Sequence, residues 1–329
     1  MFVDFSTLTV NKNAMCGLSE ERLYTSMEVP PDFWEIGITG GYRHPESSVK
    51  QCLLSLFTWH NETLNIWTHL ISTVFYVWLT VDIAQRVDLL AKENLPLFCL
   101  LVTSCLFPFG SAMAHLFNNL SCVARHVCFM LDYLCITLYA FGSCLANKAY
   151  AIPVAWKNGN FEEFYLSFMF VNCVLALVTS CTTRFMPMTS QTKVLRLSAF
   201  AFPYLCGMLP CAYRVFTDSD SGTDWYKQHF LDTIFTVSFY GGHLPERWFP
   251  GRFNIFFHSH QLFHVIVVIG TYHHALGIIA DLKTRPSFHN NPSINPLYSM
   301  IALTVIQVAT IFHFGRKMMH RKQHSHKMN

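Results

Sequence analysis

The sequence predicts an all-α fold, a polytopic bundle of membrane helices, and three observations carry that prediction. Apolar residues make up 52% of the 329-residue chain and charged residues only 13%, too little polarity to cover an ordinary soluble surface. The apolar residues gather into runs of about 20, the length an α-helix needs to cross the hydrocarbon core. The charges fall between the runs, as expected where each backbone group must be satisfied inside its own helix.

In chain order, the runs predict spans over Ile66–Ala84, Leu95–Phe117, His126–Ala146, Phe164–Thr183, Leu195–Tyr213, Phe230–His243, Ile255–Ala280 and Ile294–Phe314. Asp88 and Glu93 separate the first two, and Glu162 and Glu163 precede the fourth. The fifth contains Pro203 and Pro210 and is expected to bend, since neighbouring helices can absorb a kink that is costly in a soluble helix. The sixth is short, starts beside Asp232 and ends in Gly241 and Gly242. The chain therefore divides into an N-terminal segment (1–60), a seven-span core (61–281), an outer loop with an eighth span (282–315) and a basic tail (316–329). No charged stretch followed by an apolar run and a cleavage site opens the sequence, so no signal peptide is expected. Pro30-Pro31 suggests irregular structure there, and Ser48–Thr58 a short amphipathic helix at the membrane interface.

Lys and Arg accumulate on the cytoplasmic side of membrane proteins. Arg316, Lys317, Arg321, Lys322 and Lys327 follow the last span, which predicts a cytoplasmic C-terminus. An even number of crossings then puts the N-terminus there too, with Arg184, Lys193, Arg196, Arg247 and Arg252 on the same side. The tail could also attract anionic lipid headgroups. The sequons Asn61-Glu-Thr and Asn119-Leu-Ser fall on this side, where they would escape glycosylation. The cysteines lie mostly in apolar spans without a C-x-x-C pair and read as small buried hydrophobes, with no disulfide assigned. No nucleic-acid partner is expected.

The chemistry lies in polar residues that hydrocarbon penalises. Ser111 and His115 are four apart near the end of the second span and share a helical face, about 6 Å apart along the axis. His260 and His264 repeat that spacing at the start of the seventh, and Asp132 sits just inside the third. The predicted topology puts all five at one depth. Such groups are costly unless they pair, bind metal or face water. Three neutral imidazoles leave a fourth position for water on a tetrahedral zinc ion, which lowers the pKa of that water towards about 7. Asp132 could orient or deprotonate the water, and Ser111 could bond to it or to a substrate carbonyl. Against this, His-x-x-x-His recurs by accident on apolar helices, and His258 competes as a ligand. His273 and His274 read as polar residues of the outer interface, His69 and His313 as core histidines or residues of a water cavity. Glu62 and Asn65 read as a helix cap or as part of the polar cluster, and Glu246 with Arg247 as an interfacial ion pair or a tie to a neighbouring loop.

The stretch Asn61-Glu62-Thr63-Leu64-Asn65-Ile66-Trp67-Thr68-His69, the Ser111-x-x-x-His115 pair, Leu131-Asp132-Tyr133, His243-Leu244-Pro245-Glu246-Arg247 and His258-Ser259-His260-Gln261-Leu262-Phe263-His264 resemble, in order, the signature motifs of the progestin and adipoQ receptor (PAQR) family. Gly41-Tyr42-Arg43-His44-Pro45, Pro250–Phe253 and the eighth span resemble the membrane progestin receptor branch, especially its gamma-like members. The resemblance implies a seven-helix core with zinc at the cytoplasmic end on His115, His260 and His264, a steroid ligand, and signalling through G proteins or related pathways from the plasma membrane. A cavity between aromatic-rich helices with polar groups at one end suits a steroid or other amphipathic lipid. Phe107, Phe109, Phe117, Tyr133 and Phe263 are candidate lining residues, although a Phe at helical spacing more often simply packs. A zinc-dependent lipid amide hydrolase of ceramidase type is the alternative, with Asp132 and Ser111 as its catalytic residues. A transporter is the third reading, weakened by a polar cluster at one face rather than the midplane and by the lack of inverted repeats.

Overall fold

The computed structural model describes residues 22–187, 189–218, 220–285 and 295–328. Strand β1 (Tyr24–Thr25) pairs antiparallel with β2 (Gly40–Tyr42), and the loop between them closes on Val29, Phe33, Ile38 and Tyr42. Helix α1 (Val49–Leu54) opens on a capping box in which Ser48 and Gln51 satisfy each other's backbone N–H groups. Val49, Leu53, Leu54, Phe57 and Trp59 are exposed around it, an apolar face suited to lying in the headgroup boundary.

The bundle follows as α2 (Thr63–Ala84), α3 (Leu95–Phe117), α4 (Cys122–Ala146, continued by a π-turn over Asn147–Ala151), α5 (Asn160–Thr183), α6 (Ser190–Gly207), α7 (Leu209–Thr217), α8 (Ser221–Gly242), α9 (Ser259–Thr284) and α10 (Pro296–Met328). Helix α3 packs between α2 and α4, α8 lies along α9, and α10 covers α4 and α5. One apolar cluster joins α4, α5 and α10 through Tyr133, Phe141, Met169, Leu303 and Phe314. A second joins α2, α3 and α9 through Tyr76, Leu100, Phe107 and Ile278. Among the described residues six helices are long and apolar enough to cross a membrane, or seven with the bent α6–α7 pair taken as one span.

The fifth predicted span does bend, by 51° at Met208. Pro210 stands in the first turn of α7, where its missing N–H cannot continue the ladder of α6. The Gly207 carbonyl at the break accepts from Asn147 Nδ2 at 3.0 Å and from the Tyr165 hydroxyl, so neighbouring helices satisfy what the kink releases.

Most helix ends fall within a few residues of the sequence reading, and three of the differences have a plain cause. Helix α8 begins at Ser221, well before Phe230, behind an Asp220 capping box. At 22 residues it is about 33 Å long, yet Asp224, Lys227, His229 and Asp232 dilute its apolar signal. Helix α9 begins at Ser259 rather than Ile255, because Phe257 takes φ 62° and His258 is extended. Helix α10 runs on to Met328, so the basic tail continues the last helix instead of leaving it at Phe314.

The end of the bundle away from the N-terminal hairpin is tied by ions. Arg214, 0% exposed, pairs with Asp281 through both terminal nitrogens, with Asp220 at 2.6 Å and with Asp218 at 3.0 Å. The Tyr226 hydroxyl donates to Asp281 at 2.7 Å. These bonds join α7, the start of α8 and the end of α9.

Candidate functional site

At the other end, the close of α3 meets the first turns of α2 and α9. One ring nitrogen each from His115, His260 and His264 lies within 4.8 Å of the others, and Nε2 of His115 is 3.1 Å from Nε2 of His260. The ring centroids stand 4.5–5.1 Å apart. The i, i+4 spacing on α9 puts His260 and His264 on one face, and the end of α3 brings His115 against them.

Hydrogen bonds on the far nitrogens fix how these rings are aimed. His115 Nδ1 donates to Glu62 Oε2 at 2.7 Å, and Glu62 also accepts from Asn118 and Asn65, each at 2.7 Å. Because a carboxylate can only accept, a proton sits on Nδ1, and Nε2 of His115 is turned to the centre. His264 Nδ1 lies 3.2 Å from the Asn65 carbonyl, which leaves its Nε2 for the same centre. Carboxylate and carbonyl partners of this kind orient metal-binding imidazoles. Two nitrogens on one tetrahedral zinc at about 2.0–2.1 Å would be about 3.3 Å apart; the His115–His260 pair is at that spacing and His264 lies within 4.8 Å of both, a donor set of the right kind for such an ion.

Glu62 is therefore not the helix cap that its position at the start of α2 suggests: its side chain makes no capping bond and belongs to His115. Arg43 holds the same corner, donating to the carbonyls of His115 at 2.7 Å and Leu116 at 2.9 Å and to Asn118 Oδ1 at 3.1 Å. These acceptors include carbonyls that a helix end leaves unpaired. His60 just outside α2 accepts the Glu62 N–H on Nδ1 and bonds the Ser55 carbonyl through Nε2, each at 3.1 Å. Burial, reinforced by the Arg43 charge, pushes its pKa down to about 3.

Asp132 and Ser111 are buried side by side on α4 and α3. Oδ1 of Asp132 has no hydrogen-bond partner. His69, read from the sequence as a core or water-cavity residue, stacks on His264 at 3.6 Å with both ring nitrogens buried and unpartnered. Its place one helical turn beyond Asn65 was the available signal, but it lies on the first span, outside the second, third and seventh that carry the polar residues of common depth. Of the candidate lining residues, Phe107 meets His69 edge-on at 5.9 Å and Phe263 stacks on His260 at 5.5 Å. Tyr133 is buried against Phe200 at 5.5 Å, and Phe117 is half-buried. Phe109 is 47% exposed on the outer face of α3 and cannot line an interior cavity.

Four other sequence readings are corrected or narrowed. His258 is the N-cap residue of α9 and bonds the Asn61 carbonyl at 3.1 Å, so it stands outside the cluster. Of the two readings of Glu246, the pair with exposed Arg247 is not made and the tie to a neighbouring segment is: Glu246 is buried and accepts from the Ser259 N–H at 2.7 Å and from the Ser259 hydroxyl, closing the start of α9. His273 bonds Asp232 at 2.6 Å, while His274 is fully interior and bonds Asn147 Oδ1 at 2.8 Å, so the latter is no interface residue. His313 is exposed on α10 rather than sequestered.

Fold and site together define a polytopic helical membrane protein that gathers three imidazoles at one end of its bundle, one of them aimed by a buried carboxylate. Residues 57–275 match the family model described as haemolysin-III related. The human membrane progestin receptor gamma is 38% identical over 279 residues, covering 82% of this chain and 84% of that protein. The human membrane progestin receptor delta is 37% identical over 288 residues, with 82% of each chain covered. The human membrane progestin receptor alpha is 29% identical over 291 residues, covering 86% and 82%. The chain belongs to the haemolysin-III related, or PAQR, family.

Proposed function

We propose that this protein is a membrane receptor for a steroid of the progestin class, with zinc bound by His115, His260 and His264 at the cytoplasmic end of the bundle. The observation that carries the zinc reading is the shared aim of three imidazoles, two buried and one half-buried, with Glu62 and the Asn65 carbonyl bonded to the far nitrogens of His115 and His264. The steroid reading rests on similarity to relatives named membrane progestin receptors. Signalling through G proteins, residence in the plasma membrane and cytoplasmic termini complete the proposal. The ion would fix α3 to α9, and ligand entry would shift the balance between arrangements of the helices it joins, as differential binding requires.

One observation favours a second reading, a zinc-dependent lipid amide hydrolase. Asp132 keeps an unpartnered carboxylate oxygen beside Ser111 in the interior, where an idle charge is costly. Zinc at such a site would polarise an amide carbonyl and acidify a bound water. Asp132 would take the proton, and Ser111 would hold the carboxylate or the carbonyl.

Elemental analysis of detergent-purified protein tests the shared premise. About one zinc per chain is expected in the wild type, lost in His260→Ala/His264→Ala while far-UV circular dichroism and elution volume persist. A well-folded wild type without zinc, purified free of chelator, would sink both metal readings. Asp132→Asn then divides them: a receptor retains steroid binding, whereas a hydrolase loses about 10²–10⁴-fold in turnover of ceramide.

A further inference from the structure

The basic end of the bundle holds a second polar cluster that the histidine site does not use. Arg184 caps α5, Arg196 stands on the second turn of α6, and Lys193 is one turn before it. Arg196 is only 9% exposed. Its Nε donates to Thr183 Oγ1 at 2.9 Å, and one terminal nitrogen reaches the Thr183 carbonyl at 3.4 Å. Arg184 is half-buried, lies over the Phe129 ring at 4.8 Å and donates through Nε to His126 at 3.1 Å. Among the described residues neither arginine has a carboxylate partner, and nor do Lys193 and Arg247.

The nearby acids are already engaged. Glu35 pairs with Arg125 at 2.9 Å, and Asp32 lies 3.9 Å from His126. Arg184 feels the charges of Arg196 and Arg125, and Lys193 those of Arg196 and Arg247, opposed at both by Glu35, which is itself paired with Arg125. Several cations thus crowd one corner, two of them with guanidinium forks whose terminal nitrogens are not spent on acids. Burying unpaired charge is expensive. A planar guanidinium fork matches phosphate oxygens in particular, and basic pockets between helices on the cytoplasmic side are where phosphorylated headgroups bind.

We propose that Arg184, Arg196 and Lys193 form a site for the headgroup of an anionic phospholipid bearing phosphomonoesters, of the phosphoinositide class. The ligand chemistry follows from charge: Arg184, Arg196, Lys193 and the adjacent Arg247 together match a multiply charged headgroup better than the single net charge of phosphatidylserine. The lipid sits at the α5–α6 junction, its phosphates across the ends of these helices. It neutralises a corner that also carries Tyr133 and Tyr240, both within the field of these cations. Occupancy would therefore steady the α4, α6 and α8 walls that flank Asp132.

The test uses the full chain in nanodiscs of phosphatidylcholine with added phosphatidylinositol 4,5-bisphosphate, phosphatidylserine or no anionic lipid, read by thermal midpoint and by native mass spectrometry of co-purified lipid. The wild type should retain the bisphosphate lipid selectively, and Arg184→Gln/Arg196→Gln should bind it about thirtyfold more weakly, the factor expected for two basic side chains near an anionic surface. Lys193→Gln, in a half-buried position, supplies the answer if the double variant fails to fold, and should weaken binding about fivefold. Arg86→Gln, at an exposed residue paired with Asp82 at the opposite end, should change nothing. Equal retention of phosphatidylserine, or undiminished binding by both folded variants, would overturn the proposal. So would tight binding of soluble inositol trisphosphate without lipid retention, which would reassign the site to a free phosphate ligand.

Discussion

The two ends of the bundle both bury charge and hydrogen-bonding groups, but they finish the job differently. Around Arg214 each guanidinium nitrogen meets a carboxylate and Asp281 also accepts from Tyr226. Around His115 the first partners are supplied with equal care, through Glu62, Asn65 and Asn118, yet Asp132, His69 and Asn65 each keep a buried atom without a partner. A closed network of this kind holds helices together, whereas an open one has valences left for something else. Polarity inside a membrane protein is thus a poor guide to function until it is known which bonds are still unmade.

Breaking the closed end should have the largest effect. Arg214→Gln strands Asp281 and should cost about 3–5 kcal/mol, as the loss of one partner of a buried pair does. The readout is the thermal midpoint in detergent, and if zinc is bound, its stoichiometry in the surviving folded fraction should not change. Glu62→Gln probes the open end. It should lower zinc affinity about 10–100-fold, as loss of an orienting partner does, with a smaller fall in midpoint; competition against a chelator measures it. A variant that lost midpoint but not affinity would make Glu62 a purely structural residue and erase the contrast.

Smaller effects sharpen the same comparison. Glu246→Ala removes the acceptor at the start of α9 and should cost about 1 kcal/mol, in the range of a lost helix cap. His60 supplies a pH signature for the histidine end. Its folded pKa of about 3 lies below the unfolded value of about 6.5. The unfolded chain therefore binds the proton first, and stability present above pH 6.5 falls by about 1.4 kcal/mol per unit as the pH drops towards 3. Midpoints recorded between pH 7 and 5 should fall less steeply in His60→Gln. An unchanged slope would show that His60 is hydrated.

What could be read from the residues was whatever repeats on a length scale the membrane imposes. The spans over Leu95–Phe117 and up to Thr183 end where the helices do, because uninterrupted apolar runs have no other stable home. The bend in the fifth was legible in Pro210. The early start of α8 was not, since Asp224, Lys227 and His229 look like loop residues until Gly270 and Tyr204 are seen to accept and share their bonds with His229. Within the site, spacing along single helices with the predicted topology put His115, His260 and His264 at one depth but left His258 competing with them. Glu62 was left between a helix cap and the polar cluster, and His69 was left aside, because their roles depend on contacts between α2 and residues 53 and 195 positions further on. No local pattern encodes such contacts. Phe109 shows the converse error: a run of aromatic residues says nothing of which face each one takes.

The N-terminal hairpin is fastened late in the chain. Thr39 donates its N–H to Asn254 Oδ1 at 2.9 Å, Gly251 donates to the Gly37 carbonyl at 2.9 Å, and Gly37 sits so close to the Glu246 backbone that a Cβ would fall 2.5 Å from its carbonyl oxygen. The hairpin thus has its docking surface made by residues roughly 210 positions later in the chain. Contacts of such sequence separation form slowly, and synthesis adds roughly 5–20 residues per second, so this segment must wait on the order of ten seconds or more for its partner.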